Sequence, residues 1–138
     1  MESYSTAQTF EIAQRLGEQA QKGQIYLLEG ELGAGKTAFS KGFGKGLGVE
    51  EAITSPTFAI LNIYEDGRLP LYHFDLYRVD ETGVMDLGFE DYFYGEGVCL
   101  IEWASNAQSL IPQGYTQIRI HKDLEKGEDY RFIEVVAG

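Results

Sequence analysis

Cysteine is almost missing from this chain. One thiol, Cys99, leaves no intrachain disulfide possible, and its place in the apolar run Val98-Cys99-Leu100-Ile101 marks it as a buried thiol suited to a reducing cytoplasm. No Cys/His cluster has zinc-ligand spacing. Proline is scarce, with 3 residues, and no proline-rich linker divides the chain. No apolar run approaches the roughly 18 residues of a membrane span, so no membrane role is expected. The polar, acid-bearing start from Met1 to Lys22 does not read as a signal peptide. Basic residues are few: 11 Lys and Arg stand against 22 Asp and Glu, a net charge of −11. That balance disfavours direct binding of DNA or RNA, which requires phosphate neutralisation by clustered cations. It suits docking on a basic protein patch instead. What is present is 43% hydrophobic residues over 138 positions, enough for one domain spanning 1–138 with a real core.

Glycine is abundant, and its placement carries the main signal. Gly30-Glu31-Leu32-Gly33-Ala34-Gly35-Lys36-Thr37 matches G-x-x-x-x-G-K-[ST], the phosphate-binding P-loop. Its context fits. The apolar run Ile25-Tyr26-Leu27-Leu28 precedes it as a buried strand would, and Ala38-Phe39 begin a helix after it. Glycines let the backbone curl so that successive N–H groups meet phosphate oxygens. The helix N-terminus adds partial positive charge. Lys36 is positioned for the β- and γ-phosphates, and the Thr37 hydroxyl for Mg²⁺.

The remaining pattern is a mixed α/β sheet with helices on its faces, a P-loop NTPase-like arrangement. Ser5 and Gln8 form a capping box for a helix from about Thr6 to Lys22. Gln24 to Glu29 reads as a core strand, and a helix follows the P-loop to about Leu47. Gly42, Gly44 and Gly46 inside that helix each cost roughly 1 kcal/mol against alanine, which close packing on the sheet or local mobility could explain. Gly48 to Pro56 is a loop. Phe58 to Glu65 and Leu69 to Tyr77 read as a hairpin around Asp66-Gly67. The acidic, aromatic stretch Asp80 to Gly97 holds a short helix near Phe89 to Phe93. Val98 to Glu102 is a second buried strand, Ala104 to Ile111 a short helix or loop, and Gln117 to His121 with Tyr130 to Val136 a terminal hairpin.

A P-loop protein that handles Mg²⁺ needs an acid at the end of a neighbouring strand. Glu102 ends the clean apolar run Val98 to Ile101, and Asp75 ends the more amphipathic Leu71-Tyr72-His73-Phe74. Both are candidate catalytic and metal-binding residues beside Lys36. Ser55 and Thr57 lie on the loop after the P-loop helix, where a hydroxyl can sense a γ-phosphate or Mg²⁺. Trp103 borders the site. Arg78 reads as a surface ion-pair partner, and His73 and His121 as strand residues with no role.

Four segments taken together resemble the TsaE (also called YjeE) family of small bacterial ATPases needed to make threonylcarbamoyladenosine in tRNA. They are the P-loop, Thr54-Ser55-Pro56-Thr57-Phe58, Tyr72-His73-Phe74-Asp75-Leu76-Tyr77-Arg78, and Leu100-Ile101-Glu102-Trp103. The resemblance implies a P-loop α/β fold, ATP and Mg²⁺ as cofactors, weak intrinsic hydrolysis, and metal held by Thr37 and Glu102 with Asp75 nearby. It implies nucleotide contacts at Gly30, Glu31, Leu32, Gly33, Ala34, Gly35, Lys36, Thr37, Ala38, Ser55 and Thr57. It further suggests Thr6 near the adenine and Arg131 as a basic contact. The implied partners are TsaD, which transfers the threonylcarbamoyl group, and TsaB, with tRNA reached only through their complex. A small P-loop nucleoside or nucleotide kinase is the alternative. It calls for an Arg-rich lid, and Arg15, Arg68, Arg78, Arg119 and Arg131 are scattered. A guanine-nucleotide switch lacks its Asn-Lys-x-Asp motif, and a module that holds ATP without turnover is not separable by sequence.

Overall fold

The computed structural model describes residues 1–31, 34–53 and 60–137. Its described strands form one sheet in the order β1-β7-β6-β2-β5-β4-β3. The centre is parallel: β2 (Ile25–Gly30) lies between β5 (Val98–Glu102) and β6 (Thr116–Lys122), and β4 (Leu71–Asp75) runs parallel to β5. The edges are antiparallel, with β3 (Leu61–Tyr64) on β4, β7 (Arg131–Ala137) on β6, and the two-residue β1 (Glu2–Ser3) on β7. β2 and β5 are continuous apolar runs because both faces are covered, as central parallel strands require.

Strand alternation sorts the core in two. Tyr26, Leu28, Leu71, Val98, Leu100, Ile118 and Ile133 face α1 (Thr6–Gln19) and α2 (Lys36–Gly46), where Phe39, Phe43 and Ala13 meet them. Ile25, Leu27, Phe74, Cys99 and Ile101 face the other way, onto Val84 of α3 (Glu81–Asp86), Phe93 of α4 (Glu90–Phe93), and Ala104 and Ala107 of a 3₁₀ segment, Ala104–Leu110. Burial pushes the Cys99 thiol up to about 12, so it stays protonated and inert.

The expected elements are present with shifted ends. The Ser5 Oγ accepts from the Gln8 N–H at 3.1 Å, and the Gln8 side chain accepts from the Tyr4 N–H at 2.7 Å, one residue earlier than a standard capping box. α1 ends at Gln19 rather than Lys22. There the Arg68 guanidinium donates to the carbonyls of Gly17, Glu18 and Ala20 at 2.7 to 2.9 Å, satisfying acceptors the helix leaves open. The β3–β4 hairpin is shorter than the sequence suggests, because its turn is fastened elsewhere. The Asp66 carboxylate accepts from the Glu50 and Glu51 N–H groups, which hold it below the usual carboxylate range, and the Arg68 N–H donates to the Leu47 carbonyl. The Phe58–Ala59 part of the expected strand lies outside the described residues. α3, capped by Asp80 on the Gly83 N–H, and β1 were not expected.

The glycines of α2 have a steric cause. A Cβ on Gly42 would overlap the Phe10 carbonyl, and one on Gly46 the Gln14 carbonyl. Close packing is therefore against α1 at these two positions, not on the sheet.

Candidate functional site

Three chain segments converge at the C-terminal ends of β2, β4 and β5. β2 ends at Gly30, and the loop returns through Ala34 and Gly35 into α2. Gly35 caps that helix with φ +97°, the left-handed region that glycine enters at no Cβ cost. The first N–H groups of α2, from Lys36, Thr37 and Ala38, have no intrahelical acceptor and bring partial positive charge to the loop. Of the expected loop contacts, Glu31 is exposed, Ala34 is buried and donates its N–H to the Glu31 carbonyl at 2.9 Å, and Thr37 is exposed on the first turn. Leu32, Gly33, Ser55 and Thr57 lie outside the described residues.

The register of β4 and β5 explains why acids arrive here. Asp75 pairs with Glu102 and His73 with Leu100. Side chains in register on parallel strands share a face, and Leu100 belongs to the core under α2. Glu102 therefore ends its strand on the same side as Lys36. The Lys36 Nζ lies 3.8 Å from Glu102 Oε1, with only 12% and 9% of the two side chains exposed. The other carboxylate oxygen, Oε2, lies 2.8 Å from His73 Nε2. His73 is 1% exposed, and its Nδ1 is buried without a partner among the described residues. His73, expected as a strand residue with no role, lies against the carboxylate: burial on the Glu102 side of β4 brings the two together. Its spacing two residues before Asp75 puts it on that strand face, but the sequence alone does not distinguish packing there from contact with a carboxylate. His121 instead pairs with Glu134 at 2.5 Å on an exposed part of the sheet.

Asp75 stands beside Glu102 but bonds neither it nor Lys36. Its Oδ1 accepts from the Tyr77 N–H at 3.0 Å, a local turn that ends β4. The Leu76 N–H donates to the Glu102 carbonyl at 3.0 Å, and Asn106 Nδ2 donates to the Leu76 carbonyl at 2.7 Å, so the two strand ends are tied together. Trp103 follows Glu102 with φ 59°, the one positive φ on a non-glycine residue among those described. A bulky residue seldom adopts this conformation. It swings the indole over Lys36, 4.9 Å from Nζ to the ring centroid, and against the Tyr77 ring at 4.9 Å. Arg131 donates from Nε to the Ala34 carbonyl at 2.8 Å, bringing a cation from β7 onto the loop. Thr6 opens α1, three residues beyond Ser3, which pairs with Arg131 on β7.

A strand–glycine loop–helix unit with a buried lysine and a strand-end carboxylate facing it, in a mainly parallel sheet, defines a P-loop-like α/β protein. The comparisons narrow the class. The family model "Threonylcarbamoyl adenosine biosynthesis protein TsaE" matches residues 3–131. The tRNA threonylcarbamoyladenosine biosynthesis protein TsaE of Bacillus subtilis (strain 168) is 46% identical over 130 residues, covering 94% of this chain and 80% of that protein. The protein of the same name from Nostoc sp. (strain PCC 7120) is 47% identical over 107 residues, 75% of this chain and 65% of that one. The crystal structure of Bacillus subtilis YdiB superposes with a TM-score of 0.84 at 40% identity, covering all of this chain and 84% of that one. The chain belongs to the TsaE family, which serves tRNA threonylcarbamoyladenosine biosynthesis.

Proposed function

We propose that this protein binds ATP with Mg²⁺ at the Gly30–Thr37 loop and hydrolyses it slowly, as the ATPase subunit that works with TsaB and TsaD in threonylcarbamoyladenosine synthesis. The observation that carries this reading is the buried approach of Lys36 to Glu102, 3.8 Å apart at the start of α2. A lysine held there can transfer its charge to a phosphate, and the carboxylate it leaves is a hard oxygen donor.

The residues present fit Mg²⁺. No group of three or more His, Cys, Asp or Glu gathers among the described residues. Mg²⁺ does not need one, because it takes one or two carboxylates and completes its octahedron with water and phosphate. Glu102 and the Thr37 hydroxyl would hold it, with Asp75 within reach through water. Bound there, the ion would neutralise charge on the β- and γ-phosphate oxygens. The chain's own contribution is positioning. The N–H groups of the loop and the first turn of α2 hold the phosphates. Lys36 compensates the negative charge that grows as the terminal phosphate departs. Trp103 lies over Lys36, with Nζ 4.9 Å from the ring centroid.

The kinase alternative has less support. Arg68 is engaged by main-chain carbonyls and Arg119 by Glu29, which leaves these two out of an arginine lid. Phosphate release from Mg·ATP, measured alone and with TsaB and TsaD, tests the proposal. Slow release that responds to the two proteins is expected. Transfer of the phosphate to a nucleoside in place of water would establish the kinase.

A further inference from the structure

His73 stands outside every loop and helix that meets a phosphate, yet it is buried against the key carboxylate. Its imidazole lies in β4 at 1% exposure and, among the described residues, makes one polar contact, Nε2 to Glu102 Oε2 at 2.8 Å. A carboxylate oxygen only accepts, so Nε2 carries the proton and donates. Nδ1 is buried with no hydrogen-bond partner among the described residues. Such a contact is costly to place in a core merely for packing, because half of the imidazole's polar capacity goes unused. It has a clear effect on Glu102. With Oε2 tethered to β4, the carboxylate cannot rotate freely, and Oε1 is the oxygen left facing Lys36 at 3.8 Å.

We propose that His73 is a positioning residue that orients Glu102, presenting Oε1 alone to the divalent cation once Lys36 turns to phosphate. The inference rests on the proposed Mg·nucleotide site. It assigns to the chain a second layer in that site: β4 supplies the orienting donor, β5 the ligand and α2 the counter-cation. Hydrogen-bond partners of this kind set a ligand's direction and basicity, and their loss weakens metal binding by about 10- to 100-fold. The Nε2–Glu102 bond acts on the cation and leaves the phosphate contacts, which come from the loop and Lys36, in place.

The test compares His73→Leu, His73→Gln and His73→Asn. Gln can set its amide N–H near the position of Nε2, whereas Asn falls one methylene short and Leu has no donor. Mn²⁺ binding is read by electron paramagnetic resonance in the presence of ADP, and ADP binding by calorimetry in EDTA. Leu and Asn should weaken Mn²⁺ by about 10- to 100-fold with metal-free ADP affinity unchanged, and Gln should recover most of the loss. If Leu does not fold, the Gln and Asn pair gives the same contrast. Equal Mn²⁺ affinity in all variants overturns the proposal, as does a loss of ADP affinity in EDTA that matches the loss of Mn²⁺, which marks a structural role only. Wild-type protein that binds ADP but no Mn²⁺ in its presence overturns the metal site itself, and with it this inference.

Discussion

Glu102 carries more of the account than any other side chain, because it meets Lys36 with one oxygen and His73 with the other. Its role separates from that of the loop. In the proposed site, N–H groups and Lys36 would supply most of the attraction for phosphate, whereas the carboxylate would act on the cation and through it on the transition state. Glu102→Ala should therefore lower hydrolysis by about a hundredfold or more and ATP affinity much less, read as kcat against the dissociation constant. Equal losses would make Glu102 a nucleotide-holding residue, and no loss in either would shift the role to Asp75. The placement of Lys36 and Thr37 at the start of α2 and of Glu102 at the end of β5 was legible in the sequence, because each sits in a motif with a fixed offset from an apolar strand. His73 was not, since a lone histidine on a strand has the same pattern whether it packs or positions. Only the β4–β5 register, which aligns it with Leu100 two residues before Glu102, reveals the contact.

At the level of elements, the α1–α2 contact shows how far local pattern reaches. The sequence placed both helices, but the glycines in α2 looked like a weakness. Two of them are points where two backbones touch, Gly42 on the Phe10 carbonyl and Gly46 on the Gln14 carbonyl. Helix propensity favours alanine by about 1 kcal/mol, whereas inserted volume in a packed contact costs about 1 to 3 kcal/mol. Gly42→Ala should thus lower the denaturation midpoint, because the neighbour is backbone and cannot turn aside. A midpoint that rises would show that the helices separate easily. Capping and strand alternation are local and were readable. The ends of α1 and of the β3–β4 hairpin were not, because both depend on Arg68 and Asp66 reaching segments roughly fifty and sixteen residues away.

For the whole molecule, the charge balance and the fold point to one arrangement. With 11 basic residues against 22 acidic ones, Lys36 mostly buried, and Arg68 and Arg131 bonded to main-chain carbonyls, the cations available to grip a polyanion are few. The protein alone should show no tight binding to tRNA at physiological salt in a filter or mobility assay; tight binding would contradict its reaching tRNA through partner proteins. None of the described helices is long and apolar enough to cross a membrane. The central claim, that the Gly30–Thr37 loop and Glu102 make an ATP-hydrolysing site, is tested most directly by phosphate release from Mg·ATP by purified Lys36→Ala beside the wild type. The account predicts measurable turnover by the wild type and a fall of about 10²- to 10³-fold in a folded variant, and hydrolysis by Lys36→Ala at the wild-type rate would contradict it.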